Sequence, residues 1–472
     1  MADLLPQLLT RHWITLHGLV VFTGLAVYIT ASHTLHQRRH PSAAIAWMVG
    51  LALMPYVSLP LYLMFGNRKV VDPRLLEKKA SPPVPQAAGL PPTRQLAAAL
   101  GLPDATVYTA LQVHGDGGQA LQALLRVVDG AHHTLDVCTF ILGRDALSRA
   151  LAQRVLARAR AGVRVRLLLD GVGYFVGGMP TLRELKRAGV QVALFAPLTS
   201  ALRGRTNLRN HRKMTLADGQ WLWCGGRNLA AEYFDGDLQG FAPAPPHAWG
   251  DLSFDLQGGL AMQAQRQFEQ DWAFATQAPV PAPASAPVAT ASSGPALGQL
   301  VPSGPDQLDD TFYTLLVSGC YTSRRRVLAI TPYFVPDTSL LLALTLAARR
   351  GVQVDLLLPR RSNHRLADIA RNRALRELWR AGAGIWLAPR MLHAKAIVID
   401  DELALVGSAN LDERSLFLNY ELMVAFHHTP DIRQFAQWIE RQRAGAQAYA
   451  LHKPGLWREL TEGLVLWLAF QL

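Results

Sequence analysis

"NHRKMTLADG", Asn210–Gly219, and "LHAKAIVIDD", Leu392–Asp401, write one pattern twice: His, any residue, Lys, four residues, Asp. The two histidines, His211 and His393, stand 182 positions apart. The agreement runs on past the opening triplet. His211, Lys213, Asp218, Gly225, Gly226 and Asn228 share their offsets with His393, Lys395, Asp400, Gly407, Ser408 and Asn410. One copy of so short a pattern would mean little, but two copies in one register need a structural cause.

The flanking sequence supplies that cause. "HTLDVCTFIL" ahead of the first copy answers "RRVLAITPYFV" ahead of the second, both strand-like before a helical stretch. "RARAGVRVRLLLDG" answers "AARRGVQVDLLLPR", each a helix end, a Gly stop and a buried strand. "LRELKRAGVQVALFAP" answers "LRELWRAGAGIWLAP". The duplicated element is therefore a whole α/β unit. The expected fold is two α/β repeats, residues 100–277 and 300–472, with their motifs at a shared cleft. A Pro/Ala-rich linker, 278–299, separates them, and a second linker, 70–99, precedes them.

Around each motif the residues alternate as strands do, with Asp218 and Gly219 as a two-residue hairpin turn. That register puts His211 and Lys213 on one face, His211 opposite Gly226 and Asn228 on a diagonal, with the Gly-Gly pair leaving room for a ligand. Asp218, and Asp400 by the same spacing, is then a turn or orienting residue more than a proton carrier. Each copy offers an imidazole, an ammonium and an amide.

Two copies face to face suit a phosphodiester. One imidazole attacks phosphorus, the other protonates the departing oxygen, and Lys213, Lys395, Asn228 and Asn410 hold the non-bridging oxygens. This needs one histidine neutral and one protonated at the outset, and it needs no metal or other cofactor. The residues alone leave open which histidine is which.

Composition agrees. The net charge of +12 favours anionic partners, whether nucleic acid, lipid headgroups or phosphorylated substrates. Only seven of the 47 basic residues are lysines, yet two of them are Lys213 and Lys395. If Arg and Lys were interchangeable, that would occur on the order of 2% of the time, so the sites select a compact point charge. Three cysteines scattered over 472 residues form no disulfide framework and suit a reducing compartment.

Two uncharged runs, Trp13–Ala31 and Ala43–Phe65, are each long enough to span a bilayer as a helix. They read as an uncleaved hairpin of two transmembrane helices within residues 1–69, the second kinked or re-entrant at Pro55 and Pro60. Arg68, Lys69, Arg74, Lys78 and Lys79 after the runs, against Arg38 and Arg39 between them, place both ends and the large C-terminal part in the cytoplasm. At the far end Leu456, Leu460, Leu464 and Trp467 fall at helical spacing. They suggest an amphipathic helix that docks on its own domain or lies on a bilayer.

The doubled motif resembles the signature of the phospholipase D superfamily, and within it the bacterial cardiolipin synthases. "YLMFGNRK", "NLRNHRKM", "GGRNLAAEYF", "FEQDW", "VPSGPD", "TPYFVPD" and "HAKAIVIDDELALVGSANLDERSLFLNYE" carry that likeness. It implies a multi-pass enzyme of the bacterial inner membrane whose partners are anionic phospholipids, phosphatidylglycerol and cardiolipin, and not nucleic acid. The implied reaction is phosphatidyl transfer through a phosphohistidine, with glycerol leaving. The catalytic set carried over is His211, Lys213, Asp218, His393, Lys395 and Asp400, with His211 as nucleophile and His393 as acid and then base, an assignment that can be reversed. A phospholipase D that lets water attack would use the same residues, and so would a membrane-tethered nuclease. Two stretches depart from the family pattern: Trp249-Gly250-Asp251 lacks the usual basic residue, and Cys138-Thr139-Phe140 replaces a tyrosine-rich stretch.

Overall fold

A computed structural model of the chain describes residues 4–34, 41–66, 91–177, 182–197, 207–234, 248–280, 296–307, 309–451 and 453–468. The repeated sequence units fold alike. In the first half lie β1 (Thr106–His114), β2 (Thr134–Thr139), β3 (Arg164–Asp170), β4 (Gln191–Phe195), β5 (Met214–Ala217), β6 (Trp221–Gly225) and β7 (Ser253–Gly258). In the second lie β8 (Leu297–Ser303), β9 (Arg326–Ile330), β10 (Phe334–Val335), β11 (Gln353–Pro359), β12 (Gly384–Ala388), β13 (Ala396–Ile399), β14 (Leu403–Gly407), β15 (Leu411–Asp412), β16 (Glu421–Phe426) and β17 (Gln447–Ala448).

The sheet order is β17-β12-β11-β9-β13-β14-β16-β8-β1-β7-β6-β5-β2-β3-β4. Read outward from the β8–β1 seam, the two halves repeat one order, and β17 extends one edge. At the seam Thr106 pairs with Gly298 and Val107 with Leu297, antiparallel. Within each half three strands run parallel, β2-β3-β4 and β9-β11-β12, which requires helical crossovers. Gly117–Asp129 and Ala146–Arg160 cover the outer face of the first half, and Thr311–Thr322, Thr338–Arg349 and Arg365–Arg380 cover that of the second. Asp116, Asp145 and Asp337 cap three of these helices by accepting backbone N–H bonds.

The inner faces share one core. Helix Gly259–Thr276 contributes Leu260, Ala264 and Phe268, and helix Thr429–Ala444 contributes Ile432, Phe435 and Ile439. Because both faces are covered, β5 and β13 are buried at every residue and lose the alternation of a half-exposed strand.

Each motif turn is one residue longer than the sequence suggested. Ala217 pairs with Trp221 and Ile399 with Leu403, so three residues form each loop, and His211 cannot face Gly226. The cause is the aspartate. Asp218 and Asp400 both sit at φ +52°, and each carboxylate accepts three backbone N–H bonds at the start of the neighbouring strand. The Gly-Gly pair does not open space for a ligand either. A Cβ on Gly226 would lie 2.3 Å from Asp251 Oδ1, and one on Gly225 would lie 2.4 Å from the Leu252 carbonyl.

The N-terminal hairpin of two spans is also corrected. Among the described residues one helix, Leu4–Thr34, contains a segment long and apolar enough to cross a membrane, Thr15–Ser32. The second run breaks at Met54 into Pro41–Leu53 and Pro55–Phe65, each too short to cross alone, because Pro55 cannot continue the first helix. The basic residues that set orientation lie outside the described residues, as do residues 70–90 of the expected first linker. At the end of that linker Pro92–Ala99 is a helix, and Ala97 packs with Phe312 and Leu316 of the second half.

Candidate active site

The two motif histidines precede β5 and β13, and a segment of the opposite half pins each of them. His211 N–H donates to the Tyr420 carbonyl at 2.9 Å, and His393 N–H donates to the Gly250 carbonyl at 2.6 Å. These bonds belong to two parallel bridges, Asn210 with Tyr420 and Gly250 with Leu392. The residue after each bridge partner is acidic. His211 Nδ1 lies 2.9 Å from Oε1 of Glu421, and His393 Nδ1 lies 2.8 Å from Oδ2 of Asp251. Each half thus supplies the carboxylate for the other half's imidazole, and with Nδ1 engaged, Nε2 is the nitrogen available for chemistry.

Sequence reasoning assigned no role to Glu421 or Asp251. Their signal was present: "NYE" ends the longest family-like stretch, and Gly250-Asp251 sits where that family pattern was broken. The buried Ser408 hydroxyl donates to Glu421 at 2.5 Å, while Gly226 at the matching offset leaves room for Asp251.

The lysines fold back on their own histidines. Lys213 Nζ donates to the His211 carbonyl at 2.7 Å, and Lys395 Nζ donates to the His393 carbonyl at 2.5 Å and sits 2.9 Å from His393 Nε2. Aromatic rings enclose the pair unequally. His393 has Tyr233, Trp249 and Tyr333 at 5.0, 5.5 and 6.5 Å, whereas His211 has Phe140 at 5.4 Å. The His211 side chain keeps 12% of its surface exposed, and that of His393 keeps 4%.

Burial dominates the electrostatics. It pushes His211 down to about 4, opposed by Glu421 and aided by Lys213 and Lys395. Burial and then Lys395 take His393 down to about 3, against the pull of Asp251. Lys213 falls to about 8 and Lys395 to about 7, again through burial, with Glu421 and Asp251 opposing. Burial raises Glu421 and Asp251, but the facing imidazole together with Lys213 and Ser408 for Glu421, and with Lys395 and Arg227 for Asp251, holds both below the usual carboxylate range. Lys395 acts on His211, and Lys213 acts on His393, so the motifs share one electrostatic neighbourhood. Burial lowers both imidazoles, so each favours the neutral form near neutral pH.

Asn228 Oδ1 accepts from the Ile141 backbone at 3.3 Å, and its amide reaches Tyr233. Asn410 donates to Asp412, and its Oδ1 is buried without a hydrogen-bond partner among the described residues. Asp218 and Asp400 stand apart from this cluster at the hairpin turns.

Comparison with known proteins agrees with this geometry. The family described as "Cardiolipin synthase, PLD-like domain" matches residues 124–241 and 321–443, and "Phospholipase D-nuclease N-terminal" matches residues 24–67. Fold and site define a two-domain enzyme of the phospholipase D superfamily. The chain belongs to the cardiolipin synthase family of that superfamily, whose members are phosphatidyltransferases of lipid metabolism. It is 33% identical over 430 residues to cardiolipin synthase A of Pseudomonas aeruginosa, covering 86% of this chain and 85% of that one. It is 30% identical over 447 residues to cardiolipin synthase of a Geobacillus species, covering 90% and 88%. The crystal structure of phosphatidylserine synthase from Haemophilus influenzae superposes with a TM-score of 0.62 at 11% identity, over 80% of this chain and 97% of that one, a likeness of fold alone. Among the described residues, the one N-terminal helix long and apolar enough to cross a membrane is consistent with membrane anchoring.

Proposed function

We propose that the cleft makes cardiolipin from two molecules of phosphatidylglycerol, releasing glycerol. Neutral His211 Nε2 attacks the donor's phosphorus, and the bond from phosphorus to the glycerol oxygen breaks as His393 gives that oxygen its proton. His393 then takes the proton from the acceptor's hydroxyl, whose oxygen attacks phosphorus, and the P–N bond to His211 breaks. Lys213, Lys395, Asn228 and Asn410 hold the phosphate oxygens. The diester's negative charge opposes the lowering of His393 by Lys395, so His393 takes up its proton as substrate binds. Asp218 and Asp400 support the fold of the motif without touching the phosphate.

The observation that carries this reading is the exchange of carboxylates, Glu421 to His211 and Asp251 to His393. It orients two imidazoles in one cleft, as a double displacement at one phosphorus requires. The greater exposure of His211 favours it as nucleophile. The apolar helix Leu4–Thr34 and the two short helices after it anchor the enzyme in a bacterial inner membrane, with residues 100–277 and 300–472 as the two catalytic domains in the cytoplasm. Held at the bilayer, the cleft meets a concentrated lipid acceptor and little water.

Incubation of the purified enzyme with labelled phosphatidylglycerol, beside His211→Ala and His393→Ala, tests the proposal. Cardiolipin and glycerol from the wild type alone is the expected result. Phosphatidic acid in place of cardiolipin would make the enzyme a hydrolase and end the reading.

A further inference from the structure

The helix Leu456–Leu468 was anticipated from a leucine stripe, of which Leu456 and Leu460 stand exposed. Among its described side chains, Glu462 is gripped by Arg376 at 2.5 and 3.2 Å and by Arg458 at 3.2 Å, and Val465 packs with Val335, Ala367 and Ala370. Arg376 lies late in the helix Arg365–Arg380, whereas Ala367 and Ala370 lie early, so the two helices run antiparallel. Trp379 and Trp457 therefore come to the same end of the pair.

At that end the surface is apolar and uncovered. Trp457 is 81% exposed, Leu456 69%, Leu460 56% and Trp379 42%. Lys453, Arg458, Arg373 and Arg380 are exposed around them, against Glu377 and Glu459. Leucine and tryptophan beside an excess of Lys and Arg is a composition suited to the boundary between headgroups and acyl chains. Single exposed leucines need no explanation, but one end of a helix pair that exposes two leucines and two tryptophans does. The surplus positive charge matches an anionic surface, and the same chain carries an apolar helix long enough to cross a bilayer.

The patch is also tied to the catalytic cleft. The cluster under the helix includes Tyr333 and Leu466 beside Val465, and the Tyr333 ring stands 6.5 Å from His393. We propose that the face formed by Leu456, Trp457, Leu460 and Trp379 docks on the surface of an anionic phospholipid bilayer and holds the mouth of the cleft against it. The proposal rests on the reading that the substrate is a bilayer lipid.

The test uses the full chain in vesicles of phosphatidylglycerol and phosphatidylcholine, with Leu460→Cys carrying a bimane dye. The native cysteines Cys138, Cys224 and Cys320 are buried and do not compete for label. Quenching by lipids that carry a nitroxide near the carbonyl region, together with protection from aqueous iodide, is expected. Quenching by iodide alone would overturn the proposal, and so would protection in detergent that grows with protein concentration, because a second copy would then be the cover. In parallel, Trp457→Asp combined with Leu460→Asp should lower turnover of vesicle lipid at least tenfold and leave turnover of monomeric short-chain phosphatidylglycerol unchanged. Equal losses on both substrates would make the helix a mere support and overturn the proposal. If the wild type transferred no phosphatidyl group at all, the functional reading would fail while the dye still decided the docking.

Discussion

Glu421 of the second half holds Nδ1 of His211 in the first at 2.9 Å, across 210 residues of chain. The reciprocal bond from His393 to Asp251 spans 142 residues, and neither imidazole is oriented by its own half. A carboxylate in this position fixes the tautomer and stabilises the imidazolium or phosphoimidazolium that forms. Glu421→Gln and Asp251→Asn should therefore each lower kcat by about 10²-fold or more with little change in KM, since they touch histidine and not substrate. Steady-state transfer assays on the two variants check this, and a loss confined to KM would contradict it.

The pH profile follows from the same burial. For kcat/KM the free enzyme needs a neutral His211, which protonates only near pH 4, a proton on His393, which burial makes harder to keep as pH rises, and a charged Lys395, which loses its proton near pH 7. The expected profile rises through the His211 limb near pH 4, declines above it as His393 loses its proton, and falls more steeply beyond the Lys395 limb near pH 7. Lys395→Arg should remove the alkaline limb set by that lysine, because guanidinium stays charged. Glu421 raises the proton affinity of His211, so Glu421→Gln should move the acid limb to lower pH.

Asp218 and Asp400 are expected to matter for stability and not for rate. Each sits in the left-handed region and accepts three backbone N–H bonds. Asp400→Ala should cost about 1–3 kcal/mol through the lost bonds. Asp400→Asn should cost less, because asparagine tolerates the positive φ and keeps one acceptor. Thermal unfolding in detergent measures the difference, and kcat/KM of the folded fraction should stay near that of the wild type.

Arg212, between His211 and Lys213, is fully buried. It donates to Asp271 of the first half, to Asp306 of the second at 3.2 Å, and to the Glu421 carbonyl at 3.0 Å. Arg212→Ala should cost about 3–5 kcal/mol by leaving buried Asp271 without its cation. The matching Ala394→Gly in the second motif breaks no ion pair and should cost much less. Parallel melting curves of the two variants decide it.

Much of this was legible before any coordinates. The two α/β units, their strands and the motif residues that gather in the cleft follow from the repeated pattern around His211 and His393, because periodicity and turn residues are local signals. The one-residue error at Asp218 arose because "DG" is also a two-residue turn signal, and only the three N–H groups of His132, His133 and Thr134 favour the longer loop. Glu421 and Asp251 escaped for a different reason. Their function depends on the bridges Asn210–Tyr420 and Gly250–Leu392, which no local pattern announces. The leucine stripe at Leu456 and Leu460 revealed the helix but not its direction, since the footprint is an ion pair around Glu462.

The exchanged carboxylates also set an order in time. A ribosome releases His211 long before it has made Glu421, and until the β1–β8 seam closes, the first imidazole has no partner to fix its tautomer. On the proposed reading, a partly synthesised chain therefore lacks the carboxylate that orients His211. On the same reading, full catalytic power waits for the segment that carries Glu421, and an unfinished copy spares whatever phosphodiester lies near it.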